Sequence, residues 1–146
     1  MESIQLLIVD DHPVVREGLR AMLATDQTIE IVGEASDGVE AVTMVARNKP
    51  NIVLMDIRMP NMDGIEATRR IKDKYPSTAV IVLTMYDNDA YIIDAVRAGA
   101  SGYLLKDASR KLLLHTIRMV SSGATLIKTN LLYEAVSSLT YTKKAC

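Results

Sequence analysis

The sequence predicts an α/β fold, a doubly wound five-stranded parallel sheet built as (βα)5. Three observations predict it. Short, branched apolar runs alternate five times with segments of helical period. The runs are nearly continuous in apolar residues, as strands covered on both faces must be. Acids, a threonine and a lysine stand at or just after the ends of these runs, where a buried strand does not otherwise stop on a charge.

The elements follow in order. Ile4–Val9 is the first strand. Pro13–Ala24 is a helix, with Val15, Leu19, Met22 and Leu23 on one stripe. Ile29–Ala35 is the second strand, and Asp37–Asn48 a helix with Val39, Val42 and Val45/Ala46 inward. Ile52–Met55 is the third strand. Asp63–Lys74 is a helix with Gly64 and Pro76 near its ends, and Thr78–Leu83 is the fourth strand. Asp89–Arg97 is a weaker helix closed by Gly99, and Gly102–Leu105 a short fifth strand. Lys111–Val120 aligns Leu113, Ile117 and Val120, with Ser109 as N-cap. After Gly123 the alternation stops. Residues 124–146 read as a linker, with an expected short helix over Asn130–Leu139 capped by Thr129 and a frayed Thr140–Cys146.

The totals exclude several classes. A chain of 146 residues, 49% apolar with no Trp or Phe, holds one aliphatic core. A net charge of −1 gives no strong electrostatic grip on DNA or anionic lipid. The single cysteine, Cys146, excludes a disulfide framework and argues against a cysteine zinc site. The N-terminus lacks a basic n-region, and no apolar run approaches the ~20 residues that span a bilayer. The expectation is a soluble, cytoplasmic protein with no membrane partner.

In a parallel sheet all strand C-termini share one edge. There the sequence places Asp10 and Asp11 after the first strand, Asp56 after the third, Thr84 at the end of the fourth and Lys106 at the end of the fifth. With the common order 2-1-3-4-5, the switch point lies between strands one and three, so Asp10 and Asp11 face Asp56. Three carboxylates in one crevice repel and need a cation. All-oxygen ligands suit a hard ion, and Mg²⁺ needs only a few carboxylates. Lys106 adds a positive charge and Thr84 a hydroxyl, so the set matches phosphoryl transfer to an ionised carboxylate, which needs no general base. Each residue alone has a plainer role. Asp11 could cap the helix near Pro13, Asp56 could form a turn, and Thr84 could be an ordinary strand residue. Lys106 could be a solvated charge, His12 a loop residue, and Asp63 the cap of its helix. Their convergence on one edge weighs against the plainer roles.

The stretches D-D-H-P-V-V-R-E-G-L, M-D-I-R-M-P-N-M-D-G, V-L-T-M-Y-D and G-Y-L-L-K-D resemble the receiver domain of bacterial two-component response regulators, over about residues 4 to 123. The wording is most similar to the NarL/FixJ (LuxR-type) subfamily of transcriptional regulators. The resemblance implies a receiver domain over 1–123 with the flavodoxin-like sheet order 2-1-3-4-5. Asp56 would be the phosphoacceptor. Asp10, Asp11, Asp56 and the backbone carbonyl of Arg58 would hold Mg²⁺. Thr84 and Lys106 would contact phosphoryl oxygens, and Tyr103 would be the aromatic switch that follows Thr84. The donor would be a sensor histidine kinase or a small acyl phosphate. Phosphorylation would switch homodimerisation, through the first and last helices, and transcriptional control. DNA would be bound only through a helix-turn-helix effector domain, expected after the linker and absent from this chain, which reads as truncated or engineered.

The sequence departs from that pattern at Asp107, where a proline supporting a cis bond is common, and at Met85, where a small residue is common. By the same resemblance, Arg58 and Tyr86 would occupy the positions that tune phosphate lifetime in that family. Three other classes fit the residues less well. An aspartate-nucleophile phosphatase needs an acid two residues after the nucleophile, where this chain has Arg58. A flavin module needs a Gly/Ser/Thr-rich phosphate loop where this chain has D-D-H-P. A receiver that is never phosphorylated would not need the full acid–Thr–Lys set.

Overall fold

The computed structural model describes residues 3–85 and 88–125. Tyr86, the Thr129-capped helix expected over Asn130–Leu139 and the frayed Thr140–Cys146 lie outside the described residues. The five strands are β1 (Ile4–Val9), β2 (Ile29–Ala35), β3 (Ile52–Met55), β4 (Ala79–Thr84) and β5 (Gly102–Leu105). The helices between and after them are α1 (Pro13–Leu23), α2 (Gly38–Asn48), α3 (Gly64–Lys74), α4 (Asp89–Ala98) and α5 (Arg110–Ser121). All strand pairs are parallel, in the order β2-β1-β3-β4-β5.

Successive side chains of a strand point to opposite faces, and this splits the core in two. Leu7, Val9, Val53, Met55, Val80 and Val82 face the layer of α2, α3 and α4, where Ala41, Val45, Ala67, Ile71 and Ala95 are buried. Leu6, Ile8, Ile52, Leu54, Ile81 and Leu83 face α1 and α5, packing on Leu19, Leu23, Leu113 and Ile117. Both halves are aliphatic, as the composition requires.

Local chemistry sets the helix ends. Asp37, Asp63 and Ser109 each accept a backbone N–H from the third residue on, and Asn88 accepts from Ala90. Gly99 closes α4 with φ of 105°, a conformation glycine adopts without strain. Three expectations are corrected. In α2 the buried residues are Gly38, Ala41 and Val45, with Val42 partly buried against the same core, whereas Val39 is 48% exposed and Ala46 is exposed. Small residues let α2 lie close to the sheet, so the larger valine marks the outer side. Asp11 does not cap α1: His12 is the N-cap residue and makes no side-chain cap, with Pro13 filling the first turn. The fourth strand begins one residue later than read and includes Thr84. Among the described residues, no helix is long and apolar enough to cross a membrane, and no peptide bond is cis, Lys106–Asp107 included.

Candidate metal centre at the sheet edge

Register carries the acids to one place. Val9 pairs with Met55, so the next residues, Asp10 and Asp56, leave adjacent central strands side by side. Asp56 N donates to Val9 O at 3.0 Å, and Asp10 N donates to Ala35 O at 3.0 Å. Thr84 pairs with Leu105 at the outer end of β4 and β5, and Lys106 N donates to Thr84 O at 2.7 Å. The sequence-derived set therefore lies along the C-terminal edge of four adjacent strands of the sheet.

Asp10, Asp11, His12 and Asp56 each offer a ligand atom, all within 4.8 Å of one another. Asp10 is buried and heavily engaged. Its Oδ1 accepts His12 N at 2.9 Å and contacts His12 Nδ1 at 3.2 Å, and its Oδ2 meets Lys106 Nζ at 2.6 Å. Asp56, also buried, accepts Ile57 N at 2.9 Å on Oδ1, with Lys106 Nζ 3.4 Å from the same atom. Burial, and then the charge of Asp10, push the Asp56 carboxyl up to about 6 against the pull of Lys106. Burial pulls the Lys106 ammonium down. The hydrogen bond to Asp10 and the charges of Asp56 and Asp10 outweigh that and leave it above its ordinary value.

Asp11 differs from its neighbours. Its Oδ1 is buried and has no hydrogen bond, although His12 Nδ1 stands 3.0 Å away. A buried carboxylate oxygen without a partner is costly. Beside two further carboxylates, it is the feature expected of a ligand waiting for a hard cation. The residues present therefore fit Mg²⁺ by donor type and by this orphaned oxygen.

Thr84 is fully buried, and Tyr103 is half-buried against the core of the α3–α4 side. Arg58 is exposed; its guanidinium donates from Nε to Tyr91 Oη at 3.1 Å and lies 5.7 Å from the ring centroid, tying the loop after Asp56 to α4. Sequence reasoning did not find that contact, nor the role of Gly64. A Cβ on Gly64 would stand 1.7 Å from the backbone oxygen of Asp56. The D-G step is thus needed for close approach to the acceptor residue's own carbonyl, beyond making a turn. Arg16 was missed as well: it donates to the backbone carbonyl of Asp10 and to Glu34. The contacting pairs of these residues are 6 to 33 positions apart, and no local pattern joins them.

A five-stranded sheet in this order, with an acid triad at the switch point and a lysine reaching it from the end of β5, is the arrangement of a receiver-type fold. Comparison with known proteins agrees. Residues 6–118 match the family model of the response regulator receiver domain. The chain is 44% identical over 128 residues to the transcriptional regulatory protein YdfI of Bacillus subtilis, covering 88% of this chain and 60% of the relative. It is 39% identical over 125 residues to the transcriptional regulatory protein DegU of Brevibacillus brevis, covering 86% and 53%. Among solved structures, a LuxR-family two-component response regulator from Aurantimonas sp. SI85-9A1 superposes with a TM-score of 0.83 at 32% identity, covering 95% of this chain and 99% of that one. The signal receiver domain of the putative response regulator NarL from Mycobacterium tuberculosis gives 0.81 at 32% identity, covering 84% and 99%. The chain belongs to the response regulator receiver family, with relatives among LuxR/NarL-type transcriptional regulators. It spans little more than half the length of these two curated relatives.

Proposed function

We propose that this chain is the phosphorylation-gated switch of a transcriptional regulator, with Asp56 as phosphoacceptor. The observation that carries this reading is the acid cluster itself: ligand atoms of three carboxylates within 4.8 Å, one buried oxygen without a hydrogen bond, and Lys106 bridging Asp10 and Asp56. Asp10, Asp11, Asp56 and the backbone carbonyl of Arg58 would hold Mg²⁺. Bound there, it would neutralise the acids and the phosphoryl oxygens. Both polar contacts of Asp56 fall on Oδ1, which supports attack from Oδ2. The carboxylate oxygen forms a bond to phosphorus, and the bond from phosphorus to the donor breaks. The donor is a phosphohistidine of a sensor histidine kinase or a small acyl phosphate, and it leaves with the electron pair. Asp56 would react as the carboxylate, the form favoured above its raised value of about 6, so no base removes a proton. Lys106 and the Thr84 hydroxyl would hold phosphoryl oxygens, and Thr84 and Tyr103 would carry the change outward.

The exposed apolar residues Val14 on α1, at 79%, and Leu112 and Met119 on α5, at 45% and 39%, support homodimerisation through those two helices. DNA binding and control of transcription would belong to an effector domain, in the cytoplasm.

Intact mass after incubation with Mg²⁺ and acetyl phosphate tests the reading. The expected result is one added phosphoryl group, not formed when EDTA is present from the start and absent in Asp56→Asn. A folded parent chain that gains no mass, and that also fails to bind beryllofluoride, would overturn it.

A further inference from the structure

Arg16 sits in the first turns of α1, and its side chain is only 18% exposed. Its guanidinium points two ways at once. Nη1 donates to the backbone carbonyl of Asp10 at 2.5 Å, and Nε donates to Glu34 Oε1 at 3.1 Å. The other oxygen of Glu34 accepts from Arg20 Nε at 2.8 Å. One helix, the strand β2 and the loop after β1 are thus joined at a single planar group.

The Asp10 carbonyl lies at the end of the ladder: Asp10 N still bonds to Ala35, the last residue of β2, but the strand carries the chain no further. A carbonyl on a buried residue there needs another partner, and Arg16 is that partner. The peptide plane that carries the Asp10 carbonyl also carries the Asp11 amide. Fixing the carbonyl fixes that plane and the Asp11 N–Cα bond that lies in it, leaving rotation about that bond as the backbone freedom that aims the Asp11 side chain. The Asp10 side chain needs no such help, because Lys106 and His12 already hold it. Asp11 is held less firmly: its buried Oδ1 makes no hydrogen bond and has only the His12 ring nitrogen, 3.0 Å away, beside it.

We infer that Arg16 is a positioning residue for divalent metal, aiming the Asp11 carboxylate through the Asp10–Asp11 peptide while Glu34 holds the guanidinium in place. The inference rests on the metal reading of the acid cluster. Lysine cannot replace Arg16, since one ammonium on a flexible stem cannot serve the carbonyl and the carboxylate in fixed geometry. Charge alone makes the opposite demand. A cation near three acids repels Mg²⁺, so if Arg16 acted only by its charge, removing it would tighten metal binding. Positioning requires that removal weaken it.

The test is a titration of the whole chain with MgCl₂, followed by amide NMR shifts of residues 9–12, for the parent, Arg16→Met and Arg16→Lys. Melting temperatures without metal are measured alongside. The expected result is a Kd raised about 10-fold or more in Arg16→Met, in the range that lost outer-shell partners cost metal sites. Arg16→Lys is expected to raise it as well, although it keeps the charge, and it decides the matter if Arg16→Met does not fold. A Kd unchanged or lowered in the folded variants, with only the melting temperature reduced, makes Arg16 a plain structural ion pair and overturns the inference, leaving the metal site standing. A parent chain that binds no Mg²⁺ overturns both.

Discussion

Lys106 Nζ lies 2.6 Å from Asp10 Oδ2 and 3.4 Å from Asp56 Oδ1, so without metal the lysine is held by the carboxylate that is not the proposed acceptor. The one ammonium offsets the repulsion of two buried acids while leaving Asp56 less tied. Lys106→Met removes a cation from the cluster without removing a metal ligand. It is expected to tighten Mg²⁺ binding and to slow phosphorylation by acetyl phosphate on the order of 10²-fold, as loss of one preorganised charge donor does. Equal rates for parent and variant at saturating Mg²⁺ would remove Lys106 from the chemistry.

The raised Asp56 carboxyl has a definite consequence for stability. Its folded pKa, about 6, lies above its ordinary 3.8, so the folded state disfavours the ionised form. The full stability is present below 3.8 and is lost as pH rises through about 6. Asp56→Asn should therefore raise the metal-free stability at about pH 7.5 by about 1–2 kcal/mol, allowing for solvent screening. The gain should vanish only below the ordinary carboxyl value of 3.8. It should also shrink on adding Mg²⁺, which stabilises the parent more because the variant has lost one carboxylate ligand. Denaturant melts at three pH values check it; a gain independent of pH would rule out desolvation of the carboxylate as its cause.

Asp26 behaves in the opposite sense. Hydrogen bonds from the Thr28 side chain and backbone, and then Arg118 of α5, hold its carboxyl below the ordinary 3.8. A lowered folded pKa gives stability that is present above the ordinary value and lost as pH falls through the folded one. Asp26→Asn is expected to lower the melting temperature at neutral pH, and the gap should close as pH falls below 3.8. A gap that persists in acid would mean that packing, not charge, is at stake.

Gly64→Ala places a methyl group 1.7 Å from the Asp56 backbone oxygen, a contact no rotamer relieves. The β3–α3 loop must shift, at a cost of about 2–4 kcal/mol, well beyond an ordinary glycine-to-alanine change. Urea unfolding measures it. A variant as stable as the parent would show that the loop yields freely.

Much of this molecule is legible in its residues. The strands β1, β2, β3 and β5 have the ends read from apolar runs, because a continuous aliphatic run between turn formers has few other uses in a covered sheet. Asp10, Asp11, Asp56, Thr84 and Lys106 were reachable because strand ends and sheet order alone bring them to one edge. The inward face of α2 was read rightly at Val42 and Val45 and wrongly at Val39, because valine outranks alanine in hydrophobicity while close packing prefers Ala41. Arg16–Glu34, Arg58–Tyr91 and Arg118–Asp26 were not legible at all. Each joins residues 18 to 92 positions apart, and long flexible side chains leave no periodic trace.

Three carboxylates stand at this edge, and Asp56 alone is proposed to take the phosphoryl group. The most direct test is to phosphorylate the chain with acetyl phosphate and Mg²⁺, reduce the acyl phosphate with borohydride, and map the residue converted to homoserine by peptide mass. Conversion is expected at position 56 and nowhere else. Conversion at position 10 or 11, or a phosphorylated chain with position 56 intact, would contradict the assignment.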